Sequence, residues 1–174
     1  MMAYAIDPFT LEICRSRLDS TVQEMATTLI KTSSSPTTTE TKDFSTSLFD
    51  YQGRQLAFSG YILYHASSNW EGIVRILKDF PLDEIDDGDV FIANDPCYGG
   101  GIHPGDVCVF QPHFYQDEII AWSACASHQI DVGGAVAGGW NCDARECFAE
   151  ALLIPPVKVM RKGVIDRSMW MLLM

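Results

Sequence analysis

Leu11, Cys14, Leu18, Val22, Met25 and Leu29 recur at spacings of three and four. Residues so spaced fall on one side of an α-helix, because the helix turns once every ~3.6 residues. Asp7-Pro8 stands just ahead of the stripe. An aspartate there can accept from the first free amides, and a proline suits the first helical position, where its missing N–H costs nothing. Arg15, Arg17, Asp19, Gln23 and Glu24 take the other faces. The chain therefore opens with a long amphipathic helix whose apolar side is expected in the core, and it must build a surface for that helix to lie on.

Strands supply the surface. Ser45–Asp50 alternates in the manner of a strand, Tyr51-Gln52-Gly53-Arg54 is a turn, and Gln55–Ser59 returns as the second arm of a hairpin. Val90–Ala93, Val107–Phe110, Ile119–Ser127 and Val157–Met160 read as further strands, with Gln116-Asp117-Glu118 and Lys162-Gly163 as turns. Between them, a helix is expected from about Ser68 to Lys78 with Trp70, Ile73, Val74 and Leu77 on its apolar side. A short helix is expected over Glu146–Leu153, and another begins at Asp166 and runs to Met174 without a stop signal. The polar stretch from Lys31 to Thr41, broken by Pro36, reads as a flexible connector, and Asp83–Asp89 as a solvated turn. The expectation is an α+β fold: a long N-terminal amphipathic helix packed on a mixed or antiparallel sheet, with glycine-rich loops carrying the active site.

Bulk properties narrow the function. The 174 residues suit one domain with a real core, and 47% hydrophobic against 20% charged residues is an ordinary globular balance. The net charge of −11 disfavours nucleic acid and anionic membranes, both of which recruit basic side chains. No apolar run is long enough to span a bilayer, and Met1–Pro8 lacks the basic-then-apolar pattern of a signal peptide. The six cysteines, Cys14, Cys97, Cys108, Cys125, Cys142 and Cys147, form no CxxC pair. They read as scattered free thiols of a cytoplasmic protein.

The chemistry concentrates between Asn94 and Gly134. Two of the four histidines lie there, and each is followed three residues later by an aspartate: His103 with Asp106, and His128 with Asp131. Two neutral imidazoles and a carboxylate suit a catalytic divalent metal, because they leave positions open for water or substrate. Such an ion lowers the pKa of its water and polarises a carbonyl. His103, Asp106 and His128 are the candidate ligands. Asp131 can ligate too or orient His128, and Asp95 can support the loop. His65, at a helix junction, is either a hydrogen-bonded structural residue or an acid/base at the site. Spacing alone leaves a second reading open, in which Asp106 and Asp131 cap turns and the histidines serve the core. Gly99-Gly100-Gly101 is no phosphate loop, since no Lys-Ser/Thr follows it. His113 is expected exposed and has no assigned role.

Asn94-Asp95-Pro96-Cys97-Tyr98-Gly99-Gly100-Gly101-Ile102-His103-Pro104-Gly105-Asp106 resembles the NDPxxGGxHxxD segment of the hydantoinase B/oxoprolinase family. Ser127-His128-Gln129-Ile130-Asp131-Val132-Gly133-Gly134 is similar to its HHxDIGG segment, with Ser127 in place of the first histidine. Glu150-Ala151 with Ile154-Pro155-Pro156-Val157-Lys158 resembles its EG…IPPVK stretch, and Asp43-Phe44-Ser45 and His65 fall at family-like places.

The resemblance implies that residues 1–174 are the N-terminal portion of a hydantoinase B-type subunit. The family includes N-methylhydantoinase, 5-oxoprolinase and the acetone and acetophenone carboxylases. Membership implies ATP-dependent opening of a hydantoin or 5-oxoproline ring, with ATP bound on a hydantoinase A-type partner subunit. In the carboxylase branch a His, an Asp three later and a distant His hold a divalent metal, positions that match His103, Asp106 and His128. Asp131, Asp95 and His65 are the expected catalytic helpers. A carboxylase component and a non-catalytic assembly module are the alternatives.

Overall fold

The computed structural model describes residues 6–173. Residues 1–5 of the Met1–Pro8 stretch read for a leader, and the helix end at Met174, lie outside the described residues.

The chain begins with α1 (Pro8–Thr32). As expected, Asp7 caps it, its Oδ1 accepting from the amides of Phe9 and Thr10. The short α2 (Pro36–Thr39) leads to the hairpin β1 (Phe44–Asp50) and β2 (Gln55–Gly60). Then come α3 (His65–Asp79), β3 (Val90–Ala93), β4 (Asp106–Tyr115) and β5 (Glu118–His128). After a long irregular stretch the chain closes with β6 (Val157–Arg161), β7 (Val164–Ile165) and α4 (Arg167–Leu173). The seven strands form one sheet in the order β2-β1-β5-β4-β3-β6-β7, and the pairs among the described residues are antiparallel. The fold is α+β, as the sequence implied. No described helix is long and apolar enough to cross a membrane.

The alternating side chains of β1 divide the molecule into two faces. Thr46 and Leu48 point toward α1, where the Thr46 hydroxyl donates to the Val22 carbonyl and Leu48 packs with Val22 and Ala57. Ser45, Ser47 and Phe49 point toward α3, where the main core gathers Phe49, Ile73, Ile76, Phe91, Phe110 and Trp122.

The helical stripe is only half used. Val22 is buried and Leu18 and Met25 pack beside it, but Leu11 is 58% exposed and Cys14 is exposed as well. At about 1.5 Å per residue, 25 residues reach well past the two strands that α1 lies across. On α3 the buried face is rotated from the expected one. Trp70 is 47% exposed and Val74 39%, whereas His65, Ser68, Asn69, Gly72, Ile73 and Ile76 face the sheet. Asn69 donates to the hydroxyls of Ser45 and Ser47, so polar residues complete this contact. Gly72 lets the Phe110 ring come close: a Cβ there would lie 2.2 Å from Phe110 Cζ.

Four smaller expectations are corrected. The connector is ordered: Thr38 is buried, its hydroxyl bonded to that of Ser127. Asp89 is buried and paired with Lys158, because the carboxylate of this turn folds inward under β3. Glu146–Leu153 forms only a 3-10 turn at Cys147–Ala149. His113 lies within β4, half-buried, 2.9 Å from the Ser123 hydroxyl.

Candidate metal centre

One end of the sheet carries the site. Asp106 is the first residue of β4 and pairs in register with His128, the last residue of β5. This register sets the two side chains together. The His128 end is clamped by the connector: the His128 amide donates to the Asp43 carbonyl, and the Thr37 hydroxyl donates to the His128 carbonyl. His103 reaches the same place from the turn before β4, where the Asp106 amide donates to the His103 carbonyl. Asn94, fully buried, holds that turn by donating to the carbonyls of Pro104 and Leu152 while accepting from the Ile154 amide.

Gly105 makes the closeness of the two imidazoles possible. A Cβ on it would stand 2.7 Å from His128 Cε1 and 3.0 Å from His103 Nδ1. The two rings lie 5.1 Å apart between centroids.

Asp106 is the hub. It has no solvent exposure and faces three imidazoles: His128 Nδ1 at 3.2 Å from Oδ1, and His65 Nε2 at 3.4 Å and His103 Nε2 at 3.5 Å from Oδ2. Burial pushes its carboxyl up, but the combined pull of His65, His103 and His128 outweighs that and holds it below the ordinary carboxylate value. It is therefore an anion. Even so, Oδ2 has no hydrogen-bond partner. An ionised, buried oxygen without a donor is costly unless a cation meets it. The ligating atoms of His103, Asp106 and His128 lie within 4.8 Å of one another, a donor set that fits a divalent ion.

The remaining sequence candidates sit around this hub in different ways. His65 is the first residue of α3, fully buried on the inner side of Asp106. Asp131 lines the cavity beside His103 and His128, and its two oxygens accept from the amides of Gly133 and Gly138. It thus ties the loop that follows β5. Asp95 accepts from the Cys97 amide with its side chain, and its carbonyl receives the Gly100 amide. It shapes the turn that leads to His103. Cys108, two residues along β4 from Asp106, is pushed far up, first by burial and then by the Asp106 charge, and stays a thiol.

Two residues escaped sequence reasoning. Asp43 brings Oδ1 to 4.0 Å from His65 Nε2, and with His65 and Asp106 it forms a second cluster of possible ligands. Its only signal was the family-like position of Asp43-Phe44-Ser45. Trp140 lies over the imidazoles, its ring 5.8 Å from that of His103 and 6.5 Å from that of His128. Nothing in its local sequence marks it. Together with Asp131, Gly138 and Gly139 it closes a cavity of about 60 Å³ next to the two histidines.

Both the sequence and the fold have known relatives. The sequence model of the family described as Hydantoinase B/oxoprolinase matches residues 7–174. The chain is 39% identical over 158 residues to caprolactamase subunit beta of Pseudomonas jessenii, covering 91% of this chain and 27% of that one. It is 30% identical over 162 residues to 5-oxoprolinase 1 of Arabidopsis thaliana, covering 93% of this chain and 13% of that one. The crystal structure of the ATP-dependent caprolactamase from Pseudomonas jessenii superposes with a TM-score of 0.89 at 38% identity, over 97% of this chain and 29% of that chain. The chain thus spans less than a third of these relatives.

Proposed function

Since the chain belongs to the Hydantoinase B/oxoprolinase family, we propose that it forms the metal-holding part of an ATP-dependent enzyme that opens a cyclic amide. The relatives named caprolactamase and 5-oxoprolinase support this class of substrate. The observation that carries the reading is Asp106, buried, ionised and ringed by imidazoles, with Oδ2 unpartnered.

His103, Asp106 and His128 would hold the ion. When bound, such an ion polarises an amide carbonyl and lowers the pKa of water. The chain's own residues do the rest. Asp131 fixes the loop that carries Trp140 across the cavity, and Asp95 fixes the turn that delivers His103. Both are positioning residues. His65 faces Asp106 and not the cavity, so any proton it holds reaches the reaction through that carboxylate. Trp140 forms an apolar wall against which a lactam or hydantoin ring can lie.

The division of labour is part of the proposal. ATP binds a hydantoinase A-type partner subunit, and the activated cyclic amide is hydrolysed here. A reducing, cytoplasmic setting suits the free thiols of the six cysteines.

The test is to purify the protein with its partner subunit and assay ATP-dependent hydrolysis of caprolactam, hydantoin and 5-oxoproline. Chelator should abolish turnover of the accepted substrate and added divalent metal should restore it. His128→Ala should lose both bound metal and activity. Full activity in a metal-free preparation, untouched by His128→Ala, would overturn the reading.

A further inference from the structure

A groove lies at the far end of β4 from Asp106. The strand runs from Asp106 to Tyr115, which puts its two ends about 30 Å apart at the usual rise of a strand. Tyr51, Leu77, Leu82, Phe114 and Ile119 line the groove, which encloses about 510 Å³. Leu77, Phe114 and Ile119 rest with one side on the main core, so these walls are fixed. Leu82 and Tyr51 form the rim and are 66% and 53% exposed.

The turns that frame it are set by the fold. Tyr115 pairs with Glu118, so Gln116 and Asp117 make a two-residue hairpin turn, both at positive φ, 50° and 65°. Such a turn matches the twist of its strands and fixes the direction of the lip. On the other side Gly53 seats the β1–β2 turn against α3, where a Cβ would come 3.2 Å from Ile73 Cγ2. The groove therefore exists before anything enters it. It also continues along α3. Trp70 and Val74, which the helix leaves exposed, lead to Leu77 at spacings of four and three. Residues so spaced make one stripe, ~10 Å long over seven residues. Groove and stripe together have the form that receives a protein segment.

Charge says which kind of segment. Asp117 and Glu118 line the groove, and Asp83 and Glu84 follow Leu82 at its rim. The neighbouring acids Asp50, Asp79, Asp86 and Asp89 are each matched by a lysine or arginine. Asp83, Glu84, Asp117 and Glu118 have no ion-pair partner among the described residues. Of the bases on the flanking elements, Arg54 and Arg75 are taken by Asp50 and Asp79, which leaves Lys78 against four acids. A second copy of this chain, with its net charge of −11, would bring acid against acid. An apolar anchor beside a basic side chain answers both the walls and the lip.

We propose that this groove docks a segment of a partner protein. The segment lays an aliphatic or aromatic side chain against Leu82 and Phe114 and sets a lysine or arginine at Asp117 and Glu118. Its further apolar residues run along Leu77, Val74 and Trp70. Docking there leaves the cavity beside His103 and His128 open, because the two lie at opposite ends of β4.

Peptide selection tests it. The complete chain, purified apart from any other subunit, is panned against a display library of random peptides. Enriched peptides are remade with a fluorophore and titrated by polarisation. The expected binders join an apolar residue to lysine or arginine and weaken as salt rises. They should lose at least ~tenfold in affinity in Leu82→Glu, and likewise in Asp117→Asn combined with Glu118→Lys. These side chains are exposed, and circular dichroism matching the unaltered chain shows that the loss is not unfolding. A library that yields no binder overturns the proposal. So do binders without a basic residue, and binding that survives both sets of changes. A dimer that Leu82→Glu splits, seen by sedimentation, overturns it in favour of a second copy.

Discussion

Asp89 and Asp106 are both fully buried acids, and they stand at opposite ends of the same sheet. Asp89 is completely paired. It accepts from the amides of Asp86 and Lys162, and Lys158 Nζ lies 2.6 Å from its Oδ2. The rings of Phe80 and Phe91 flank the lysine. Asp106 has no lysine, arginine or amide on Oδ2, only imidazoles at 3.4 and 3.5 Å. One carboxylate closes its own account within the fold. The other is left with bonding capacity to spare, surrounded by groups that bind protons or metals equally well. Burial by itself therefore does not single out a candidate functional acid; the state of its oxygens does.

Breaking the structural acid should have the largest effect on stability and none on the metal. Lys158→Ala leaves Asp89 as a buried charge without its cation, which should cost about 3–5 kcal/mol. Denaturant unfolding measures that, and metal content per folded chain should stay unchanged. A loss of metal with stability intact would erase the distinction between the two ends.

Asp106→Asn is the converse. It removes the charge that three imidazoles face while keeping the shape. Divalent-metal affinity should fall by more than ~100-fold, beyond what loss of a supporting partner costs. Calorimetric titration reads this directly.

Acid probes the Asp89 end directly. Burial pushes the Asp89 carboxyl up, but the Asp86 amide, Lys158 and the Lys162 amide together hold it below the ordinary 3.8. Below 3.8 the unfolded chain then binds the proton more readily, so this contribution is complete above that value and fades as pH falls through the lower folded one. Unfolding curves in that window should flatten in Asp89→Asn relative to the unaltered protein.

Smaller effects sharpen the picture at the site and away from it. Gly105→Ala must push His128 or His103 aside, so metal affinity should drop about tenfold with little change in stability. Leu11→Ser should change stability by no more than about 0.5 kcal/mol, because that part of α1 stands off the sheet. A large loss would mean that the outer half of the stripe is covered by something else.

Much of the fold was legible because its signals are local. Asp7-Pro8 starts a helix through bonds made within four residues, and the Tyr51–Arg54 turn sets the hairpin. The HxxD spacing of His103 and Asp106 was visible for the same reason, and the turn between them is closed by a short-range bond. The rotated face of α3 was not legible. Apolar periodicity favours Trp70 and Val74, whereas the helix docks through Asn69, Gly72 and Ile73, whose partners Ser45, Ser47 and Phe110 lie elsewhere in the chain. Asp89 was read as solvated because its lysine comes from β6, on the far side of β3.

The centre divides along the same line. The sequence by itself determined which residues could serve a metal and that His103 and Asp106 share one turn, since that depends on residue type and short spacing. Only the tertiary structure decided that Asp106 is the hub. The order β1-β5-β4 brings His128 into register with it and carries Asp43 to the same edge, while α3 presses His65 against it from behind. Pairings across a sheet are set by which strands become neighbours, and no stretch of chain records that alone.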